Sequence, residues 1–357
     1  DSGDPIADLE TPAGAPIAAA ISPNGEWLAY VTVKGESGMN DIWAHRLTGD
    51  PNQRVTLHLG ESVADSPFLD RLAWSPGGRF LAYTIADATS GARNAWVFDT
   101  LGTANPVTDS GDAYAAAFDP AFSDAGGPRL WVSVAADRPL SYRVPLDAGS
   151  DPASAADATA DGAFLPLPNA DGSRTLFWRG SMDESDDGRW EFTEGGMPYL
   201  TGPLDEYDPA AGGTRVFSTL EADRDAFASA EFAWSADGMT FAVWNTAWTG
   251  EDRDGFPDPL RVYMTRADDP DLITEFHALD AADIPDDAAA IPDVALAPDG
   301  RHLSVTVQLP IGGELDAPRA RLLNVTRNLG TVADVVEEIG ADDGWNGPAV
   351  YAPVAEP

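Results

Sequence analysis

The chain contains no cysteine, which excludes disulfides, thiolate metal sites and thiol catalysis together and leaves the redox compartment open. Lysine is nearly absent too: Lys34 stands alone, and 21 Lys and Arg face 59 Asp and Glu, for a formal net charge of −38. A chain this acidic lacks the basic footprint that nucleic acid requires, so that class of partner is excluded. No apolar run approaches the roughly 20 residues that cross a bilayer as a helix. The N-terminus, Asp1-Ser2-Gly3-Asp4, shows no basic stretch followed by an apolar one, so the expectation is a mature form or an excised piece of a longer precursor.

What is abundant is apolar and aromatic. A hydrophobic fraction of 43% with 11 Trp and 14 Phe is enough for a packed core despite the charge, so the chain folds. Two readings of the acidity stand beside each other. Carboxylates spread over the surface hold water and cations and keep the protein soluble in high salt. Alternatively, they are concentrated in particular loops that bind cations.

The sequence repeats. An apolar strand, a tight turn ending in Gly, and a second apolar strand recur as Ile21-Ser22-Pro23-Asn24-Gly25 before Trp27-Leu28-Ala29-Tyr30, and as Trp74-Ser75-Pro76-Gly77-Gly78 before Phe80-Leu81-Ala82-Tyr83. Further copies are Trp234-Ser235-Ala236-Asp237-Gly238 before Phe241-Ala242-Val243, and Leu296-Ala297-Pro298-Asp299-Gly300 before Leu303-Ser304-Val305. Weaker ones are Phe118-Asp119-Pro120, with an inserted turn before Arg129-Leu130-Trp131, and Asn169-Ala170-Asp171-Gly172 before Leu176-Phe177-Trp178. Pro presets φ at the turn's first corner, Gly accepts positive φ where the hairpin reverses, and the alternating flanks suit half-buried strands. One such sheet cannot bury both faces, whereas sheets stacked around an axis can. The expectation is a single all-β domain over residues 1–357, a six-bladed β-propeller with blades near 17–60, 65–111, 112–162, 163–223, 226–281 and 288–344. Ile6 to Thr11 and Gly347 to Ala352 read as additional strands, so a split closing blade or a seventh partial blade stands as the alternative.

These units resemble the TolB-type (WD-repeat-like) propeller repeats, whose signature is Trp-Ser-Pro-Asp-Gly followed by an apolar strand, and are also similar to the propellers that precede the catalytic domain of prolyl-oligopeptidase-like enzymes. The resemblance spans about residues 17 to 340. It implies a propeller fold and an exported protein-binding module in a periplasmic, extracellular or cell-surface setting. It implies no chemistry, because the motif residues are turn and core residues.

Two segments have the spacing of calcium loops. Asp183, Ser185 and Asp187, with Gly188 and Glu194, place oxygen donors at positions 1, 3, 5 and 12 around a Gly at 6. Asp252, Asp254 and Asp258 with Gly255 form an Asp-x-Asp-Gly-x-x-Asp string. In a chain so rich in Asp and Gly, solvated hairpin loops explain both strings as well. Both are expected on the face that carries the loops between second and third strands, which makes that face acidic and suited to a cation or a basic ligand. The turns at Asn24-Gly25 and Gly77-Gly78 on the other face carry little charge.

Catalytic constellations are scarce. His45, His58, His277 and His302 are scattered over predicted strands, and Ser22, Ser75 and Ser235 recur as turn residues without a Gly-x-Ser-x-Gly elbow. Trp27, Trp74, Trp96, Trp131 and Trp234 sit at repeat positions and read as core, whereas Trp190, Trp244, Trp248 and Trp345 lie nearer loops, where an indole can contact a sugar or peptide. The leading reading is a monomeric, non-catalytic scaffold that binds a protein or peptide, with calcium stiffening its loops. The alternative is a propeller hydrolase or lactonase-like enzyme with a metal in the central channel. Carboxylates on the innermost strands separate the two, and those strands read as mostly small and apolar, with Asp70 and Asp293 at their entrances.

Overall fold

The computed structural model describes residues 15–34, 39–48, 54–63, 71–87, 89–146, 156–184, 190–192, 196–211, 213–216, 230–245, 260–279, 291–297, 300, 302–311, 314–326 and 335–338. Ile6 to Thr11 and Gly347 to Ala352 lie outside them.

Among the described residues the strands form six four-stranded antiparallel sheets, each cut from one continuous stretch of chain. Sheet one comprises β1 (Ala15–Ile21), β2 (Trp27–Lys34), β3 (Met39–Arg46) and β4 (Arg54–Val63). Sheet two comprises β5 (Ala73–Trp74), β6 (Phe80–Ala86), β7 (Arg93–Asp99) and β8 (Ala104–Pro106). Sheet three follows with β9 (Ala113–Phe118), β10 (Arg129–Val134), β11 (Leu140–Pro145) and β12 (Ala158–Asp161). In sheet four, β13 (Phe164–Pro168) and β14 (Thr175–Arg179) precede a separate hairpin, β15 (Met182–Glu184) with β16 (Trp190–Phe192), before β17 (Met197–Thr201) and β18 (Thr214–Arg215) complete the sheet. Sheet five holds β19 (Ala230–Trp234), β20 (Thr240–Asn245), β21 (Leu260–Arg266) and β22 (Asp269–Leu279). Sheet six holds β23 (Ile291–Leu296), β24 (His302–Ile311), β25 (Glu314–Thr326) and β26 (Val335–Glu338). Order within every sheet follows the chain, each strand pairing with the next.

The core lies between the sheets rather than inside any one of them, and strand alternation explains why. Leu81, Tyr83 and Ile85 of β6 pack with Ala18, Val31 and Ile42 of sheet one. The intervening Ala82 turns the opposite way, and with Ala95 and Val97 it packs against Ala113, Ala115, Leu130 and Val132 of sheet three. A third cluster joins sheets three, four and five, and within it Trp178 stacks on Phe232 with centroids 4.4 Å apart and planes 10° apart. That stacking is worth about 0.5–1.5 kcal/mol beyond the area it buries. Sheet five meets sheet six through β19, β20 and β23, and β1 and β2 of sheet one lie against β23 and β25 of sheet six. First strands are crowded where the sheets converge, and β9, Ala113–Phe118, meets that crowding with four alanines in six wholly buried residues.

The turn signature also works between sheets. The Trp74 indole N–H donates to the Ala20 carbonyl of sheet one (3.1 Å), and the equivalent Trp234 donates to the Leu167 carbonyl of sheet four (2.9 Å). The turn glycines at 25, 78, 127, 172, 238 and 300 all have positive φ. Several also touch the preceding turn: a Cβ on Gly78 would meet Asn24, one on Gly172 would meet Pro120, one on Gly238 would meet Asn169, and one on Gly300 would meet Thr240 and Ser235. The first turns of successive sheets therefore form a continuous belt on one face.

Candidate binding faces and channel mouth

On the belt face the turn serines are hubs. Ser22 Oγ donates to Asn24 Oδ1 (2.6 Å) and accepts the Trp27 N–H (2.9 Å), while Glu26 N–H closes the ring on the same Asn24 oxygen (3.1 Å). Ser235 repeats the pattern with Asp237 Oδ1 (2.6 Å) and the Thr240 N–H (3.0 Å). These hydroxyls are buried and bound within the turn.

The same face is more charged than the sequence suggested. Arg79 forms a bidentate pair with Asp99 (2.9 and 2.7 Å), and that hydrogen bonding holds the Asp99 carboxyl below its ordinary range against the opposing effect of burial. Arg266 pairs likewise with Asp268 (2.8 Å). Between sheets three and four, Arg143 has a side chain only 9% exposed and reaches Asp119 (2.7 Å), Asp157 (2.7 Å) and Asp205 (3.2 Å). Arg129 also pairs with Asp157 (3.0 Å), and both guanidinium groups lie over the Phe122 ring, about 5 Å from its centroid. Burial alone pushes Asp157 up, but its hydrogen bonds to Arg143 and Arg129 outweigh this and leave its pKa lowered.

On the opposite face, the segment read as a calcium loop carries the β15–β16 hairpin. Asp183 is exposed on β15, opposite Glu191 in the register, and its Oδ1 accepts the Glu184 N–H (2.9 Å). Ser185, Asp187 and Glu194, and all of Asp252, Asp254 and Asp258, lie outside the described residues. Among the described residues no group of three or more His, Asp or Glu is placed to hold a metal. The hairpin is anchored on its apolar side: Met182 and Phe192 are buried, Phe192 packs edge-on against Phe164 at 6.0 Å, and Trp190 packs half-buried on the same core. Met182 N–H also donates to the Asp137 carbonyl of sheet three (3.1 Å).

At this end of the axis, Arg71 reaches from the entrance of β5 across sheet three to the Leu165 carbonyl of β13 (3.1 Å). Leu165 has φ 47°, a left-handed conformation unusual outside Gly. Its N–H is held by Ser133 Oγ (2.8 Å), which bonds to Ser141 Oγ (2.8 Å), which in turn donates to the Ala163 carbonyl (2.8 Å). First strands run further toward this mouth than their apolar stretches indicate. Glu231 of β19 and Asp293 of β23 stand four residues before the turn starts at Ser235 and Ala297, as Arg71 does before Ser75. Glu231 escaped the sequence reading because the apolar run begins only at Phe232.

Of the histidines, His45 is buried, stacks on Tyr30 (centroids 5.8 Å apart) and has its pKa lowered first by burial and then by Arg54. His58, His277 and His302 lie on β4, β22 and β24. Trp27 and Trp131 are buried, while Trp74, Trp96 and Trp234 are half-buried against the clusters. Trp244 lies on β20, and Trp248 and Trp345 fall outside the described residues.

This arrangement is that of a β-propeller. Against solved structures, the chain matches the β-propeller domain of Cps50 (Swd1) from Myceliophteria thermophila at a TM-score of 0.50 and 13% identity, over 96% of this chain and 92% of that one. It also matches TolB from Acinetobacter baumannii (TM-score 0.47, 14% identity, 95% of this chain and 66% of that one). A third match is the β-propeller domain of the Trilobed protease from Pyrococcus furiosus (TM-score 0.48, 11% identity, 95% and 89%). At such identities the likeness concerns the fold. No family model and no curated protein matches the sequence. Among the described residues no helix is long and apolar enough to cross a membrane.

Proposed function

We propose that the chain closes as a six-bladed ring and serves as a non-catalytic scaffold for a protein or peptide partner, in an exported or cell-surface setting. The observation that carries this is where the chemically capable side chains are spent. Ser22 and Ser235 are bound inside turns, Ser133 and Ser141 brace Leu165, His45 is stacked in the core, and Arg143 ties two sheets together. Contact of β1 and β2 with sheet six supports closure by six blades. The exported setting rests on the resemblance of the repeats to TolB-type modules.

The partner's docking face is the one bearing the loops between second and third strands. Calcium held by 252–258 and by 183–194 stiffens it, a reading supported by the oxygen-donor spacing of both strings. An extended basic peptide complements a chain of this charge. A panel of displayed basic peptides, titrated in calcium and then in chelator, tests the reading. Selective binding that weakens in chelator and in Asp252→Asn/Asp254→Asn is expected.

A second reading, hydrolysis at a metal in the central channel, is favoured by one observation: the carboxylate residues Glu231 and Asp293 on adjacent first strands. Turnover of ester or lactone substrates that is lost in Glu231→Gln, with no peptide binding, would replace the scaffold by the enzyme.

A further inference from the structure

Two departures from the repeat, in neighbouring units, have one explanation. In sheets one and five the third residue of the turn, Asn24 or Asp237, supplies the oxygen that accepts the serine hydroxyl and the backbone N–H two residues further on, Glu26 or Met239. In sheet two that position is Gly77, which has no side chain. The next sheet, in turn, has an overlong first turn: the closing bond runs from Asp119 N–H to the Arg129 carbonyl, where sheet one closes from Ser22 to Trp27.

We propose that Asp124, carried on this enlarged turn of sheet three, is the missing turn acceptor of sheet two, supplied across the blade boundary. Its Oδ2 accepts the Ser75 hydroxyl (3.0 Å) and the Arg79 N–H (3.0 Å), the two donors that the in-turn acceptor serves in sheets one and five, and its Oδ1 faces the Gly77 N–H (3.4 Å). Ser75 Oγ still accepts the Phe80 N–H (3.0 Å), as its counterparts do at Trp27 and Thr240. Asp124 also occupies the very space that a side chain at 77 would use, because a Cβ built on Gly77 collides with Asp124 Oδ2 and lies 2.8 Å from Cγ. Gly77 has no positive φ, so its backbone accepts another residue. What keeps it glycine is the neighbour's carboxylate. The carboxylate thus serves as a strap: it satisfies three donors of one sheet from the next and couples the two turns, so that residues 75–80 and 119–128 open together.

The signature of such an exchange is a reversal of sign. Asp124→Ala strips an acceptor from the Ser75 hydroxyl and the Arg79 amide, and the midpoint of thermal unfolding is expected to fall by about 3–8 °C. Gly77→Asp in the unaltered chain also lowers it, since two carboxylates compete for one cradle. Combined, the two changes restore the in-turn arrangement of sheet five, and the midpoint recovers to within about 2 °C of the parent. Amide exchange supplies the local reading: the Arg79 N–H loses protection in Asp124→Ala and regains it in the double variant, while the 119–128 turn stays uncoupled from it. Should Asp124→Ala fail to accumulate, Asp124→Asn retains an acceptor oxygen and is expected to lose less. Additive losses in the double variant, or an Asp124→Ala chain with unchanged Arg79 exchange, would overturn the proposal.

Discussion

Alanine at Gly238 isolates how closely the turns of the belt approach one another. The residue has φ 65°, so any side chain there costs about 1–2 kcal/mol of backbone strain. The added Cβ would lie 2.5 Å from Asn169 Nδ2 of the preceding sheet. Asn169 is only 4% exposed, and its Oδ1 accepts the Arg174 N–H (3.0 Å), so it cannot swing aside without giving up that bond. Forcing a methyl group into so packed a place costs about 1–3 kcal/mol more. Gly238→Ala is therefore expected to lose about 2–5 kcal/mol. Gly91 provides the control, because its φ is 70° but no atom lies within 4 Å of its would-be Cβ. Gly91→Ala should lose only the strain, about 1–2 kcal/mol. Equilibrium unfolding in urea measures both, and a cycle with Asn169→Ala should return a coupling of about 1–3 kcal/mol between 169 and 238. Equal losses at Gly238 and Gly91, with no coupling to Asn169, would refute the belt.

Arg143→Met takes the cation from Asp119 and Asp205 and leaves Asp157 with Arg129 alone, and the expected loss in chemical denaturation is about 3–5 kcal/mol; a loss below about 1 kcal/mol would show the cluster to be solvated. Trp234→Phe strands the Leu167 carbonyl and should cost about 1–3 kcal/mol in the same assay. His45 has a folded pKa below its unfolded value of 6.5, so its contribution is complete above that pH and is lost as pH falls through the folded pKa. The melting midpoint should therefore fall between pH 8 and 5, and His45→Gln should reduce that fall. Asp99 and Asp157, also lowered on folding, act further down: their contribution is present above about pH 4 and lost as the pH drops through their folded pKa values.

The propeller was legible because its signature is local. Ser-Pro-Asn-Gly at 22–25 or Ser-Ala-Asp-Gly at 235–238 defines a turn within four residues, and alternation on either side gives the strands. What the pattern could not give was chemistry acting across the sequence. Asp124 lies 47 residues from Gly77, and nothing in either segment announces the other. Arg71 and Leu165 are separated by 94 residues, and the positive φ of Leu165 has no residue-level signal, since leucine is not a turn former. The β15–β16 hairpin has no strand signature because Asp183 to Gly188 is polar throughout; its anchors, Met182 and Phe192, flank that stretch. The charge of the belt face is hidden for a similar reason: Asp99, Asp157 and Asp268 lie at the junctions of third and fourth strands, far in sequence from the first turns they neighbour.

That distribution bears on how a partner would be selected. Arg79, Arg129, Arg138, Arg143 and Arg266 each lie within about 3 Å of a carboxylate, so these five cations are already committed. With 59 acidic residues against 21 basic ones, no scheme of pairing can neutralise the chain, so an excess of negative charge acts on any partner at a distance. A diffuse field accelerates encounter with any basic partner but cannot fix its register; that falls to short-range hydrogen bonds and shape. Association with a basic peptide should therefore slow roughly tenfold or more between low and physiological salt, while its dissociation rate barely changes. If dissociation carried the salt dependence instead, the charges would have to lie in the interface itself, paired and desolvated, and the acidic excess would be part of the recognition surface rather than its surroundings.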